Sequence, residues 1–155
     1  MSAMKLGLID EPATLEFGAR LAATMPPSSG RALKVALRGD LGAGKTTLTR
    51  GFLRSLGVMG SVRSPTFSLL ETYELAHLTV VHLDLYRLRD ATDVRGLGLA
   101  DHDRPGCLWM VEWPERAERA LGQFDLEVML RVVGTGREVE VAAGSESGRH
   151  WLQAL

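Results

Sequence analysis

Apolar and polar positions change rhythm repeatedly along this chain, and each rhythm predicts a different element. In "ATLEFGARLAA", Leu15, Ala19 and Ala22, with Phe17 and Leu21, fall near helical spacing. Thr14 is a candidate N-cap, so the pattern predicts a helix from about Thr14 to Thr24. "MPPSSGRA" ends it as a loop. "LKVALR" alternates and reads as a strand. "KTTLTRGFLRSLG" places Leu48, Phe52 and Leu56 four apart, a helix face closed by Gly57. "VRSPTFSLLETYE" mixes loop and strand character, and "LTVVHLDLYRL" reads as a strand through Val80, Val81, Leu83 and Leu85. "DATDVRGLGLADH" predicts a short helix ended by glycine. "CLWMVEW" is nearly all apolar, as a strand buried on both faces would be. "PERAERALG" predicts a short helix with Pro114 near its start. "LEVMLRVVG" and "REVEVAA" alternate with period two around "GTG", which predicts a terminal β-hairpin. "SESGRHWLQAL" reads as a short helix or a frayed tail. The order predicts a three-layer α/β domain with a mixed, mainly parallel sheet and a C-terminal antiparallel hairpin.

Composition changes this picture little. The chain has 155 residues, 45% of them hydrophobic and 24% charged, with a net charge of -1. That length suits one domain spanning 1–155 with one core. The charge excludes a protein held on nucleic acid by global basicity alone. Cys107 is the only cysteine, so no internal disulfide or cysteine-based zinc site can form, and its apolar setting reads as a buried small hydrophobe. The start of the chain lacks the pattern of a secretory signal, and no apolar run nears the ~20 residues that span a bilayer. A cytoplasmic protein with no membrane partner is expected.

The chemistry concentrates at "GDLGAGKTT", Gly39 to Thr47, which matches G-x-x-x-x-G-K-[ST] between a predicted strand and a predicted helix. Gly39, Gly42 and Gly44 permit positive φ and close backbone approach. The N–H groups from Asp40 through Leu41, Gly42, Ala43, Gly44, Lys45, Thr46 and Thr47 would then face phosphate oxygens at a helix start. Lys45, one of only three lysines, would reach the β- and γ-phosphates, and Thr46 would place its hydroxyl on Mg²⁺. Such a site needs a carboxylate at a neighbouring strand end. Asp84, after "VVHL", and Glu112, after "CLWMV", both qualify. His82 is either a base or a strand residue facing solvent.

"GDLGAGKTTLTRGFL", "SPTFSLLETY", "HLDLYRL" and "VEWPE" stand in series, and together they resemble the bacterial ATPases of tRNA N6-threonylcarbamoyladenosine formation, the TsaE family, from about Ile9 to Val141. The resemblance implies a small P-loop ATPase using ATP and Mg²⁺. It implies that Thr46 and Glu112 hold the metal, that Asp84 is important for hydrolysis, and that Ser64 to Phe67, with Thr66 at its centre, acts as a switch near the γ-phosphate. It further implies that Glu11 and Arg137 lie beside the nucleotide. On the residues alone, "SPTF" could instead be only a strand entry. Trp113 could be core packing, and Arg87 a phosphate contact, a partner contact or a surface ion pair. Arg137 could stack on adenine by its planar face or simply decorate the hairpin.

The resemblance also implies that the chain does not transfer the threonylcarbamoyl group. It would act on the transferring pair of proteins, TsaD with TsaB, and reach tRNA through them. A small-molecule or nucleoside kinase would share the loop, Lys45 and the metal, but would add an arginine-rich lid, which the sequence lacks. A non-hydrolysing nucleotide-binding module would not need Asp84.

Overall fold

"LKVALR" forms β2 (Leu33–Arg38), the centre of a seven-stranded sheet ordered β1-β7-β6-β2-β5-β4-β3 in the computed structural model, which describes residues 3–155. The other strands are β1 (Ala3–Leu8), β3 (Leu70–Glu74), β4 (Thr79–Asp84), β5 (Cys107–Glu112), β6 (Leu126–Val133) and β7 (Gly136–Ala143). Strands β6, β2, β5 and β4 are mutually parallel; β1 shares their direction, and only β7 and β3 run against it. The predicted mixed, mainly parallel sheet and terminal hairpin are therefore present. β1 was not predicted. Its Met4, Leu6 and Leu8 alternate, but the strand is an edge of which only Leu8 is buried, so the pattern is faint.

One face of the sheet carries α1 (Glu11–Thr24), α2 (Lys45–Ser55) and α4 (Glu146–Ala154). Phe17, Leu21, Leu48, Phe52 and Trp151 pack there on Val35, Leu37, Val128 and Val139. The C-terminal segment is thus a helix and not a frayed tail. Ser145 caps it by accepting from Gly148 N at 2.9 Å, and the Trp151 indole donates to Leu21 O at 3.1 Å.

The other face, lined by Ala36, Val81, Leu83, Trp109 and Val111, has a thinner cover. The helix predicted in "DATDVRGLGLADH" is instead two 3₁₀ segments, Ala91–Leu97 and Leu99–His102, split by Gly98 at φ 73°. Thr, Asp, Val and Gly in this stretch are weak helix formers, and the shorter turns suit them. "PERAERALG" likewise divides into a 3₁₀ turn, Pro114–Arg116, and α3 (Glu118–Leu121), because Ala117 between them has a non-helical φ of -154°. Cys107 is fully buried, as expected.

Helix α1 starts earlier than its apolar spacing predicts. Asp10, not Thr14, is the N-cap: its carboxylate accepts from Ala13 N at 2.9 Å, and Pro12 sits in the first turn where a missing N–H costs nothing. Thr14 is buried one turn in. No helix among the described residues is long and apolar enough to cross a membrane.

Helices α1 and α2 meet through two glycines. A Cβ on Gly18 would lie 2.1 Å from Leu48 O, and one on Gly51 would lie 2.1 Å from Leu15 O. Alanine normally favours a helix interior over glycine by up to ~1 kcal/mol. Here the contact is with backbone, which cannot swing aside, so overpacking wins. Gly51→Ala is expected to lose ~1–3 kcal/mol in urea unfolding. A gain in stability would show that the helices do not approach this closely.

Candidate functional site

Parallel pairing of β4 with β5 sets Asp84 directly opposite Glu112, so two carboxylates close adjacent strands at their C-terminal ends. Both are nearly closed to solvent, 5% and 3% exposed. β2, on the far side of β5, ends beside them, and the glycine loop leads from it into α2. A cleft of about 540 Å³ opens there. Gly42 and Gly44 have φ of 80° and 110°, a backbone conformation that side chains with a Cβ rarely adopt. No side chain caps α2. Its first-turn N–H groups have no partner within the helix, and Lys45, Thr46 and Thr47, which carry them, line the cleft.

Hydroxyls converge on the carboxylates. Thr46 Oγ1 lies 3.2 Å from both oxygens of Glu112. Ser64 donates to Asp84 Oδ2 and also lies 3.2 Å from Glu112 Oε2. Thr66 Oγ1 approaches Asp84 Oδ2 at 3.3 Å, and Tyr86 N donates to Asp84 Oδ1 at 3.0 Å. His82 faces neither solvent nor the open cleft. It is fully buried, with Nε2 2.6 Å from Glu112 Oε2. Spacing alone could not reveal Ser64 and His82 as partners of these carboxylates, because the contacts cross between elements. The available hint was their place in "SPTF" and "HLDLYR".

Lys45 is the cation of the site. Its ammonium donates to the carbonyls of Gly39 and Asp40 and stands 4.3 Å from the centre of the Trp113 ring. Burial lowers its pKa, against the opposing pull of Glu112 and Asp84. Trp113 is therefore more than core packing. It is partly exposed, holds a left-handed φ of 58°, and packs against Tyr86 at 4.9 Å between ring centres.

Leu41, Gly42, Ala43, Gly44 and Glu11 also line the cleft. Asp40 does not; its side chain is exposed, and it serves through its carbonyl. Arg137 reaches the cleft from β7, yet its guanidinium is engaged with the loop itself, donating to Ala43 O at 3.1 Å and Gly42 O at 3.0 Å. It ties the hairpin to the glycine loop. Arg87 stays outside the cleft, with its guanidinium 4.6 Å from the centre of the exposed Phe67 ring. Asp10 and Thr14 line the cleft as well; apolar spacing offers Thr14 only as a helix start and does not single out Asp10.

Comparisons with known proteins show what the chain as a whole is similar to. A family model described as "Threonylcarbamoyl adenosine biosynthesis protein TsaE" matches residues 8–139. The tRNA threonylcarbamoyladenosine biosynthesis protein TsaE of Haemophilus influenzae is 36% identical over 147 residues, covering 94% of this chain and 93% of that protein. The protein of the same name from Bacillus subtilis is 39% identical over 110 residues, 70% of this chain and 68% of its own length. The crystal structure of Bacillus subtilis YdiB superposes with a TM-score of 0.77 at 26% identity, covering 98% of this chain and 93% of that one. The matched span runs from the end of β1 into β7 and so takes in the glycine loop and both strand-end carboxylates, and on that extent of similarity the chain belongs to the TsaE family.

Proposed function

We propose that this protein is a cytoplasmic P-loop ATPase, dependent on Mg²⁺, that serves N6-threonylcarbamoyladenosine modification of tRNA by acting on a TsaD–TsaB-type complex rather than by transferring the group itself. The observation that carries this reading is the meeting of Thr46, at the start of the loop helix, with Glu112, at the strand end, inside a cleft walled by the glycine loop. A hydroxyl and a carboxylate are the hard oxygen donors that Mg²⁺ selects, with water and phosphate oxygens completing its shell. Bound there by Thr46 and Glu112, the ion would offset charge on the phosphates.

The chain's own groups supply the rest. The uncapped N–H groups at the start of α2 bind phosphate oxygens, and Lys45 adds a charge-assisted contact once it leaves the Gly39 and Asp40 carbonyls. Asp84 is an acceptor already surrounded by hydroxyl donors, so it can orient a water through Oδ2 in place of Ser64 or Thr66. Those two hydroxyls tie the Ser64–Phe67 segment to Asp84. Nucleotide turnover at Asp84 would therefore be felt by that segment, as in switches that order or release a loop. Leu41 and Phe67, 66% and 84% exposed, give the nearby surface apolar groups that a protein partner can cover.

Phosphate release from ATP by the purified protein, alone and with the TsaD–TsaB pair, tests the reading; no release in either setting overturns it. Lys45→Ala is expected to weaken ATP binding by ~2–3 kcal/mol in calorimetry with the fold intact. Affinity within twofold of the unmodified protein would remove Lys45 from the phosphate site. Asp84→Asn keeps an acceptor for Tyr86 N but loses the charge. It is expected to bind ATP nearly as before and hydrolyse it at least ~10-fold more slowly, a barrier change of ~1.4 kcal/mol. An unchanged steady-state rate, with and without the partner pair, would make Asp84 structural.

A further inference from the structure

His82 is wholly buried within β4, on the same strand face as Asp84 two residues on. Its Nε2 lies 2.6 Å from Glu112 Oε2, while its Nδ1 is buried with no partner. An ionised carboxylate only accepts, so Nε2–H is the donor in this contact. An unpaired buried nitrogen is costly. A leucine would fill the same space without that cost, so packing alone does not account for a histidine here.

The bonds to Glu112 are unevenly divided. Oε2 meets His82, Ser64 and Thr46, whereas Oε1 meets only Thr46 among the described residues. One oxygen is anchored from within the sheet, and the other is left with the Thr46 hydroxyl alone. We infer that His82 is a positioning residue whose Nε2–H, by holding Glu112 Oε2, leaves Oε1, which has no partner but Thr46 among the described residues, as the ready ligand for a divalent cation. This rests on the proposed Mg²⁺ reading of Thr46 and Glu112. Partners that orient metal-bound carboxylates typically carry 10–100-fold in metal affinity.

The test uses the full chain and ADP, so that hydrolysis plays no part. ADP binding is measured by calorimetry in EDTA and then across an Mg²⁺ titration. His82→Leu is expected to bind ADP in EDTA within about twofold of the unmodified protein while needing at least ~10-fold more Mg²⁺ for half its enhancement of ADP affinity. His82→Gln, which restores an N–H near Nε2, is expected to recover most of that shift. An unshifted Mg²⁺ midpoint in His82→Leu overturns the inference, as does equal weakening with and without the metal. Glu112→Gln separates the two readings. If it shifts the midpoint and His82→Leu does not, only the role of His82 fails; if Glu112→Gln leaves the midpoint unchanged, the metal assignment fails and takes this inference with it. Should His82→Leu not melt cooperatively, ¹⁵N-histidine spectra of the unmodified protein decide. The Nε2–H tautomer, retained on adding Mg²⁺ and ADP, supports the inference, and a proton on Nδ1 with Nε2 bare overturns it.

Discussion

Glu112 carries a carboxylate to the end of a strand that is buried along its whole length, with Asp84 lined up beside it on the next strand. Two such groups held together out of water cost several kcal/mol each unless neighbours replace the lost hydration. The rest of the site reads as the answer to that cost. Thr46 and His82 turn donors on Glu112; Ser64, Thr66 and the Tyr86 amide do so on Asp84; and Lys45 is the cation that feels both. Removing any one donor leaves the carboxylates less compensated, and so loop, strand ends and the Ser64–Phe67 segment stand or fall together.

The helical layer fixes where this charged pocket opens. Gly18 and Gly51 let α1 and α2 lie almost backbone to backbone, which brings the start of α1, with Asp10 and Glu11, against the glycine loop at the start of α2. Trp151 holds the far end of α1 through Leu21 O, and Arg137 binds the loop carbonyls from β7. The cleft is thus walled by segments from both ends of the chain. Its position depends on packing far from the carboxylates themselves.

How legible each part was follows from how local its cause is. The glycine loop, the helix after it and the apolar strands announce themselves within a few residues, through turn chemistry and periodicity. The edge strand β1 did not, because half of a weak alternation faces solvent. The paired 3₁₀ segments after β4 did not, because glycine spacing marks a break without saying which turn it ends. Asp10 caps α1 one turn before the start that apolar spacing indicates, and aspartate followed by Glu11 and Pro12 is itself a start signal.

By itself, the sequence determined the mixed α/β sheet, the glycine-rich loop with Lys45 and Thr46, the presence of two strand-end acids, and the family, whose motifs stand in fixed order along the chain. The tertiary structure decided how these parts meet. Asp84 and Glu112, rivals for one role on spacing, are neighbours by register; His82 turns inward to Glu112; Arg137 grips the loop carbonyls; and the Asp40 carbonyl accepts from Lys45. The physical reason is range. Propensity and turn geometry act over a few residues, whereas Thr46 and Glu112 are 66 residues apart and Thr66 and Asp84 are 18 apart. Only strand register and helix packing bring such groups to within a hydrogen bond.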